Sequence, residues 1–297
     1  MRDRPEQIPP TAEAPGHEVI LPREPRSAVV FASPHSGRAY PPDFLRRSRL
    51  DAIAIRSSED AYVDLLFERA PEFGAPLIRA RIPRAYVDFN RAEDELDPQL
   101  IEGVRGRAPG PRVSGGLGVI PRVVGGGRPI YRGRISRAEA EQRLADYWRP
   151  YHAALDELMA AQRARFGRAI LFDCHSMPHE ALAAANFPPG ARPEVVLGDN
   201  HGAACSRELA EEVARIFRRA GLAVAFNAPF AGAFVIQRHG RPSRGCHALQ
   251  IEIDRSLYLN ERAVRPNANF QAFRELMGRI TAELAALGAE DLGLAAE

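Results

Sequence analysis

Two apolar runs in this sequence each end in a histidine, and this pattern constrains the fold more than any other feature. The run AILFDCHS spans residues 169–176 and delivers His175, and the run AVVFASPHSG spans residues 28–37 and delivers His35. Short apolar runs bounded by turn residues are typical of buried strands. Open α/β sheets bind their ligands at the carboxyl ends of such strands. The sequence therefore predicts an α/β protein whose candidate site lies where these two strands end.

The last residues of the run at 169–176 alternate between the two faces of the predicted strand. Asp173 and His175 share one face, and Cys174 points to the other. Asp173 is therefore expected to orient a neighbouring group, because carboxylates commonly hold a ligating imidazole from behind. Cys174 is expected to be a small buried core residue, although its thiol leaves a cysteine-dependent hydrolase open as an alternative.

Predicted strands and helices alternate along the chain, which favours a layered α/β domain. The predicted strands are 28–32, 76–82, 85–89, 169–173, 194–197, 222–226, 233–237 and 248–253. The predicted helices are 60–70, 203–220, 270–286, and a helix from Ser136 to Phe166 that kinks or restarts at Pro150 and stops at Gly167. Ser136 and Glu139 have the spacing of a capping box, which marks the start of that helix.

A single domain is predicted over residues 17–297, after a flexible N-terminal segment at residues 1–16 that is polar and rich in proline. Residues 103–133 are rich in glycine, proline and arginine and predict a long loop excursion or a loose hairpin. Loops of this length in compact domains often act as lids or binding loops.

Charge and cysteine content exclude several classes of function. The chain has 297 residues, with 40 basic residues that are all arginine, 38 acidic residues and a net charge of +2. The arginines are scattered, which argues against a nucleic-acid partner. The three cysteines form no CxxC pair, so free thiols and a cytoplasmic location are expected. No signal-peptide core and no run of 18 apolar residues occur, so neither export nor membrane insertion is expected.

Candidate metal ligands stand at the ends of three predicted elements. His35 and His175 follow strands, and Asp60 opens a predicted helix in the run SSED. Two histidines and one carboxylate with an open fourth position form the usual catalytic zinc set. The alternatives are hydrogen-bonded core histidines and an aspartate that only caps its helix.

A further carboxylate, Glu252, lies inside the apolar strand HALQIEID. An acidic residue in a buried strand is costly without a partner, which makes Glu252 a candidate base that activates the water of the metal. The alternative is a buried ion pair with Arg238 or Arg255. Arginines in the segment 84–91 are suited to an anionic substrate, because a guanidinium can hold a carboxylate through two hydrogen bonds.

Six motifs in this order resemble the N-formylglutamate amidohydrolase family over nearly the whole chain, from about residue 28 to about residue 261. They are PHSG at 34–37, EDAYVDLL at 59–66, PRAYVDFNR at 83–91, YWRPYHAAL at 147–155, FDCHSM at 172–177 and HALQIEID at 247–254. The family is similar in fold to zinc carboxypeptidases and aspartoacylase-type deacylases. The resemblance therefore implies a single-domain, three-layer α/β/α fold with a mixed, mostly parallel sheet and one catalytic zinc ion, with other divalent metals as alternatives.

The resemblance also implies a role for individual side chains. The implied metal ligands are His35, Asp60 and His175, and Glu252 is implied as the general base. Asn90 and Arg91 are implied to grip the substrate carboxylate, and Arg84 and Arg238 are further candidates for substrate binding. Where typical members read Asp-Trp-His-Val-Asp, this chain has DAYVD at 60–64 after Glu59, so Glu59 is an alternative ligand and the substrate pocket is expected to differ.

The activity implied is zinc-dependent hydrolysis of a small N-acyl amino acid, first of all N-formyl-L-glutamate to glutamate and formate, as in histidine degradation. A non-catalytic protein that binds an anionic metabolite on the same fold is the first alternative, and a cysteine-dependent amidase is the second. The expected state is a monomer or a small homo-oligomer, with no nucleic-acid or membrane partner.

Overall fold

A mixed sheet of seven strands forms the centre of the computed structural model, which describes residues 15–104, 110–184, 187 and 192–289. The strands of this sheet and of two short hairpins are β1 His17–Ile20, β2 Val29–Ser33, β3 Leu77–Ala80, β4 Val123–Val124, β5 Arg128–Pro129, β6 Ala169–Met177, β7 Val195–Gly198, β8 Val224–Phe226, β9 Cys246–Asp254, β10 Leu259–Asn260 and β11 Arg265–Pro266. The order in the sheet is β1-β3-β2-β6-β9-β7-β8.

Most neighbours in this sheet run parallel, and only the β1–β3 and β7–β9 pairs are antiparallel. The prediction of a mixed, mostly parallel sheet is therefore confirmed. Strands β6 and β9 are central and long, and their register pairs His175 with Glu252. All nine residues of β6 are buried, which fits the continuous apolar run over its first four residues.

Helices cover both faces of the sheet. They are α1 Pro42–Arg47, α2 Val63–Leu66, α3 Pro111–Ser114, α4 Arg137–Arg143, α5 Arg149–Phe166, α6 His179–Ala184, α7 Arg207–Arg219, α8 Phe234–His239 and α9 Phe270–Ala286. On one face Phe31 and Phe172 join a core with residues of α2, α7 and α9. On the other face Val30 and Leu171 join a core with residues of α4, α5 and α8. This arrangement is the expected three-layer α/β/α domain.

Several predicted helix boundaries are confirmed by cap geometry. The Ser136 hydroxyl accepts a hydrogen bond from the Glu139 amide at the start of α4. A π-helical turn over 144–148 separates α4 from α5, so the restart near Pro150 is present. The α5 helix stops at Gly167, whose φ of 71° suits glycine. Helix α9 has the predicted bounds, whereas the helix predicted at 203–220 begins only after its cap at Ser206.

Two predicted strands are wrong. Residues 85–89 form turns rather than a strand, because the amides of Tyr86 and Val87 return to the Pro83 carbonyl. Residues 233–237 fall mainly in helix α8, which shows that a short apolar run does not distinguish a strand from a buried helix. The helix predicted at 60–70 is reduced to α2, since Tyr62 has a φ of 65° and interrupts the helical path before it. The polar edge strand β1 was not predicted.

The region predicted as a loop excursion or loose hairpin contains α3 and a hairpin in which a turn at Gly125–Gly127 joins β4 to β5. Residues 105–109 of this region lie outside the described residues. Most of the segment predicted to be flexible, residues 1–14, also lies outside them. Within the described ranges, no helix has the length and apolar character needed to cross a membrane.

Candidate active site

Three buried side chains from different parts of the chain meet at the carboxyl edge of the sheet. His35 follows β2, Asp60 follows a short 3-10 helix, and His175 lies near the end of β6. One ligand atom of each lies within 4.8 Å of the other two. Asp60 Oδ2 is 2.9 Å from His175 Nδ1 and 3.4 Å from His35 Nδ1. The structure therefore brings together the three ligands proposed from the sequence.

Each imidazole is held from behind by a carboxylate. His35 Nε2 lies 2.6 Å from Asp88 Oδ1, and His175 Nε2 lies 2.8 Å from Asp173 Oδ2. The Asp88 carboxylate accepts a hydrogen bond from Nε2–H of His35, which leaves the Nδ1 lone pair of that imidazole free to bind a cation. Nδ1 of His175 is instead hydrogen-bonded to Asp60 at 2.9 Å. His35 Nδ1 makes no hydrogen bond to any described residue although it is buried. Such an orphaned atom beside a carboxylate fits a metal ligand set.

The charges around the three ligands shift the pKa values of Asp60 and His175. Burial opposes the charged form of Asp60, but its hydrogen bond to His175 and the nearby His35 and Arg255 hold the pKa of Asp60 well below its usual range. Burial also opposes the charged form of His175, yet Asp173 and Asp60 outweigh it and raise its pKa well above the usual value. The pocket thus stabilises positive charge at the point where the ligands meet.

Glu252 stands opposite His175 on β9 and is buried. Its Oε1 accepts a hydrogen bond of 2.9 Å from Gln250 Nε2. Burial raises the pKa of Glu252 to about 7, with nearby Asp60 contributing in the same direction. A carboxylate with a pKa near neutrality can accept and return a proton under ordinary conditions.

The ion pairs considered as an alternative for Glu252 do not form. Arg238 binds Asp156 at 2.7 Å, and Arg255 binds Asp60 at 2.8 Å. Arg238 is also exposed at the surface beside helix α5, and none of its described contacts reaches the three ligands. The structure therefore gives no support to a substrate contact from Arg238.

Asn90 and Arg91 are fixed by contacts of their own. The Asn90 amide nitrogen lies 3.1 Å from Asp173 Oδ2, and its oxygen accepts the Val235 amide at 2.8 Å. Arg91 donates to two backbone carbonyls, those of Leu117 at 3.0 Å and of Asn90 itself at 2.8 Å. Asn90 is thus part of the support behind His175, and Arg91 ties its segment to the long loop.

Arg84 and Glu59 occupy contrasting positions. Arg84 lies 2.9 Å from Asp88 Oδ2 and 3.9 Å from Asp60 Oδ1, at the rim of the three ligands. Glu59 instead accepts from Tyr40 Oη at 2.7 Å and from Arg56 Nε at 2.9 Å. Its carboxylate is therefore already neutralised away from the imidazoles, and the group within 4.8 Å contains Asp60 rather than Glu59.

Cys174 is a core residue, as its place on the opposite face predicted. It is fully buried among apolar side chains, and burial raises the pKa of its thiol well above the usual value. A nucleophilic cysteine needs the reverse, an accessible thiol with a lowered pKa. The observed environment therefore argues against a cysteine-dependent mechanism.

The sequence patterns assign no role at the site to Asp88 or Arg255. Asp88 lies within the motif PRAYVDFNR, and its position three residues from Arg91 gave no sign that it reaches His35. Its sequence context suggests for Arg255 only an ion pair with Glu252. The signal that points to it is its position, because it directly follows the central strand that carries Glu252.

A cleft of about 480 Å³ opens beyond the carboxyl ends of β6 and β9. Arg255 lines this cleft and also contacts Asp60, so it separates the cleft from the buried ligands. The remaining lining residues include positively and negatively charged side chains: Arg56, Ser57, Glu59, Gly125, Gly126, Arg128, Pro178, His179, Glu180, Leu259, Glu261, Arg262 and Val264. Of the three ligands and Glu252, none lines the cleft itself.

A mixed α/β sheet that carries two imidazoles, a carboxylate and a buried glutamate at its carboxyl edge has the groups of a hydrolytic enzyme. Residues 27–259 match the model of the N-formylglutamate amidohydrolase family. The chain therefore belongs to this family, as its motifs indicated.

Individual relatives agree with this assignment. The chain is 30% identical over 249 residues to an N-formylglutamate deformylase of Pseudomonas aeruginosa, covering 83% of this chain and 87% of that protein. It is 27% identical to the deformylase of Pseudomonas putida, covering 80% and 83%. The crystal structure of an N-formylglutamate amidohydrolase from Ralstonia eutropha superposes with a TM-score of 0.86 at 35% identity, covering 93% of this chain and 99% of that one.

Proposed function

We propose that this protein hydrolyses the amide bond of N-formyl-L-glutamate, releasing glutamate and formate, with one divalent cation held by His35, Asp60 and His175. Zinc is the first candidate, because it favours imidazole nitrogen and carboxylate oxygen ligands. The observation that carries the proposal is the convergence of the two Nδ1 atoms and one carboxylate oxygen, with His35 Nδ1 lacking a hydrogen bond. The names of the relatives support the choice of substrate.

The proposed roles of the surrounding groups follow from their contacts. A zinc ion held there would supply a Lewis acid and would lower the pKa of the attacking water. Glu252 takes the proton from the attacking water and passes it to the leaving amine, for which a pKa of about 7 suits both steps. Asp88 keeps His35 in the tautomer that presents Nδ1, and Asp173 holds the His175 ring from the side away from Asp60.

The substrate is a dianion, and cationic side chains near the ligands supply the matching charge. Arg84 is the first candidate, since its guanidinium lies 3.9 Å from Asp60 and it is only partly buried. There it can hold a carboxylate or the oxyanion that forms on the formyl oxygen. Arg91 is the second candidate for the carboxylate, although two of its donors are used by backbone carbonyls. Arg238 pairs with Asp156 at the surface and has no role in the proposed mechanism.

The experiment that tests the function combines metal analysis with turnover. The purified protein is expected to hold one equivalent of zinc and to release formate from N-formyl-L-glutamate faster than from N-formyl or N-acetyl derivatives of uncharged amino acids. Chelation should abolish the activity and zinc should restore it. Substrate binding without metal or turnover would identify the non-catalytic alternative. Activity that survives chelation but is lost on alkylation of Cys174 would instead identify a cysteine-dependent amidase.

Three further features remain predictions: the similarity to zinc carboxypeptidases, the division into a flexible segment and one domain, and a cytoplasmic role in histidine degradation. The oligomeric state, monomer or small homo-oligomer, also remains a prediction.

A further inference from the structure

Arg255 forms a dense set of contacts directly beside the three ligands. It follows the last residue of β9 and is 5% exposed. Its Nη2 donates to Asp60 Oδ1 at 2.8 Å and to the Ser176 carbonyl at 3.2 Å. Its Nε donates to Ser176 Oγ at 3.1 Å, and its Nη1 donates to the Ser57 carbonyl at 3.3 Å. One planar guanidinium therefore joins the segment of Asp60, the strand end that carries His175 and the strand end that carries Glu252.

We propose that Arg255 is a positioning residue for the cation site. It holds Asp60 Oδ1 so that Oδ2 faces the two imidazole Nδ1 atoms, and it keeps the segment of Asp60 at a constant distance from the end of β6. This inference rests on the metal site of the proposed function. It adds a residue that touches neither the cation nor the reacting atoms and acts only through Asp60 and Ser176.

Each of the three ligands is then held by a charged side chain. Each imidazole has a carboxylate on its far nitrogen, and the carboxylate ligand has a guanidinium on its far oxygen. Without that contact, Asp60 could rotate about its side-chain torsions and present either oxygen or both. Arg84 does not replace Arg255, because its Nη1 lies 3.9 Å from Asp60 Oδ1, beyond hydrogen-bond range.

The positive charge of Arg255 by itself weakens cation binding, whereas its geometry favours it. The two effects can therefore be told apart. A guanidinium next to the ligand repels a divalent cation and draws electron density from Asp60. A benefit of Arg255 to metal binding must therefore come from its fork of donors, which reaches Asp60 and Ser176 together. Lysine keeps the positive charge but is a point charge without that fork.

Arg255→Lys in the full chain is the direct test. Zinc affinity is measured by competition with a chelator of known affinity, which does not depend on turnover. The expected result is a loss of about 10- to 100-fold in affinity, the usual effect of removing a group that orients a metal ligand. If Arg255→Lys binds zinc as tightly as the parent protein, the inference is overturned.

Arg56→Lys is the matched control. Arg56 lines the same cleft and holds the neighbouring residue Glu59 through Nε at 2.9 Å and Nη2 at 3.0 Å. The Arg56→Lys variant loses an equivalent fork of hydrogen-bond donors, but this fork does not contact Asp60. Its zinc affinity is therefore expected to stay within about twofold of the parent, a difference of less than 0.5 kcal/mol. An equal loss in both variants would show that Arg255 supports only the fold.

Thermal unfolding gives a second readout that a purely structural role would not move. The increase in Tm on adding zinc to chelator-treated protein should be smaller for Arg255→Lys than for the parent and for Arg56→Lys. Should Arg255→Lys fail to fold, Ser176→Ala removes the hydroxyl that accepts from Nε and leaves the guanidinium in place. A severalfold loss of zinc affinity is expected there, and unchanged affinity counts against the inference. A parent protein that binds no zinc would refute the proposed metal site itself.

Discussion

Replacing Glu252 by glutamine should make the protein less active and more stable. Burial raises the pKa of Glu252 from 4.5 to about 7, so the folded state binds its proton more tightly than the unfolded chain does. The difference corresponds to about 3 kcal/mol, at 1.36 kcal/mol for each pKa unit. This stability is present below pH 4.5 and is lost as the pH rises through about 7, where the ionised carboxylate stays buried.

Glutamine has nearly the same shape and no charge, so Glu252→Gln should recover part of that loss. In chelator-treated protein at pH 8 we expect an increase of about 1–3 kcal/mol in the free energy of unfolding, and no increase at pH 4.5. The value of kcat should fall by about 10²- to 10⁴-fold, while zinc content and KM are kept. Urea denaturation at the two pH values measures stability, and formate release measures kcat.

An exposed glutamate provides the control for loss of one charge. Glu275 lies on the surface of α9, so Glu275→Gln should change stability by less than about 0.5 kcal/mol at both pH values. The reasoning is refuted if Glu252→Gln is no more stable than the parent at pH 8. Loss of zinc in Glu252→Gln would make Glu252 a ligand, and unchanged kcat would make it a structural residue.

Three further predictions concern the metal and the substrate. His35→Ala and His175→Ala should each lose zinc and activity together, and one retained equivalent of metal in both variants would refute the site. Arg91→Lys keeps the charge but not the fork, so kcat/KM for N-formyl-L-glutamate should fall at least about tenfold with zinc intact; equal losses on uncharged substrates would assign Arg91 to the fold. Arg238→Ala should change kcat/KM less than twofold, because Arg238 pairs with the surface residue Asp156; a tenfold loss would restore its predicted role in substrate binding.

The elements predicted correctly from the sequence are those whose conformation is determined by residues nearby along the chain. Helix α9 has a continuous apolar face, and the Ser136 cap bonds an amide three residues away. The wrong elements depend on distant partners. Residues 85–89 alternate like a strand because Val87 and Phe89 pack into the core beneath the long loop. The backbone amide of Asp88 donates to the Val119 carbonyl in that loop instead of pairing with a neighbouring strand.

Arg91 and Arg255 illustrate the same distinction within the site. Both are arginines beside apolar segments, and the sequence favoured Arg91 as the residue facing the ligands. In the structure Arg91 spends two donors on backbone carbonyls, whereas Arg255 reaches Asp60 and Ser176. A long side chain extends several ångströms from its backbone, so its partner depends on which segments the fold places beside it.

The sequence by itself indicated the side chains that form the candidate site: an imidazole near the end of each of two buried strands, an acidic residue in SSED and a glutamate in a third strand. Alternation along a strand is a local property, so it also determined that Asp173 and His175 share a face opposite Cys174. Only the tertiary structure decided that Asp60 rather than Glu59 meets the imidazoles, that Asp88 supports His35 and that Arg255 holds Asp60. Those contacts join residues up to 195 positions apart, and only the packing of the sheet against its loops brings them within hydrogen-bond range.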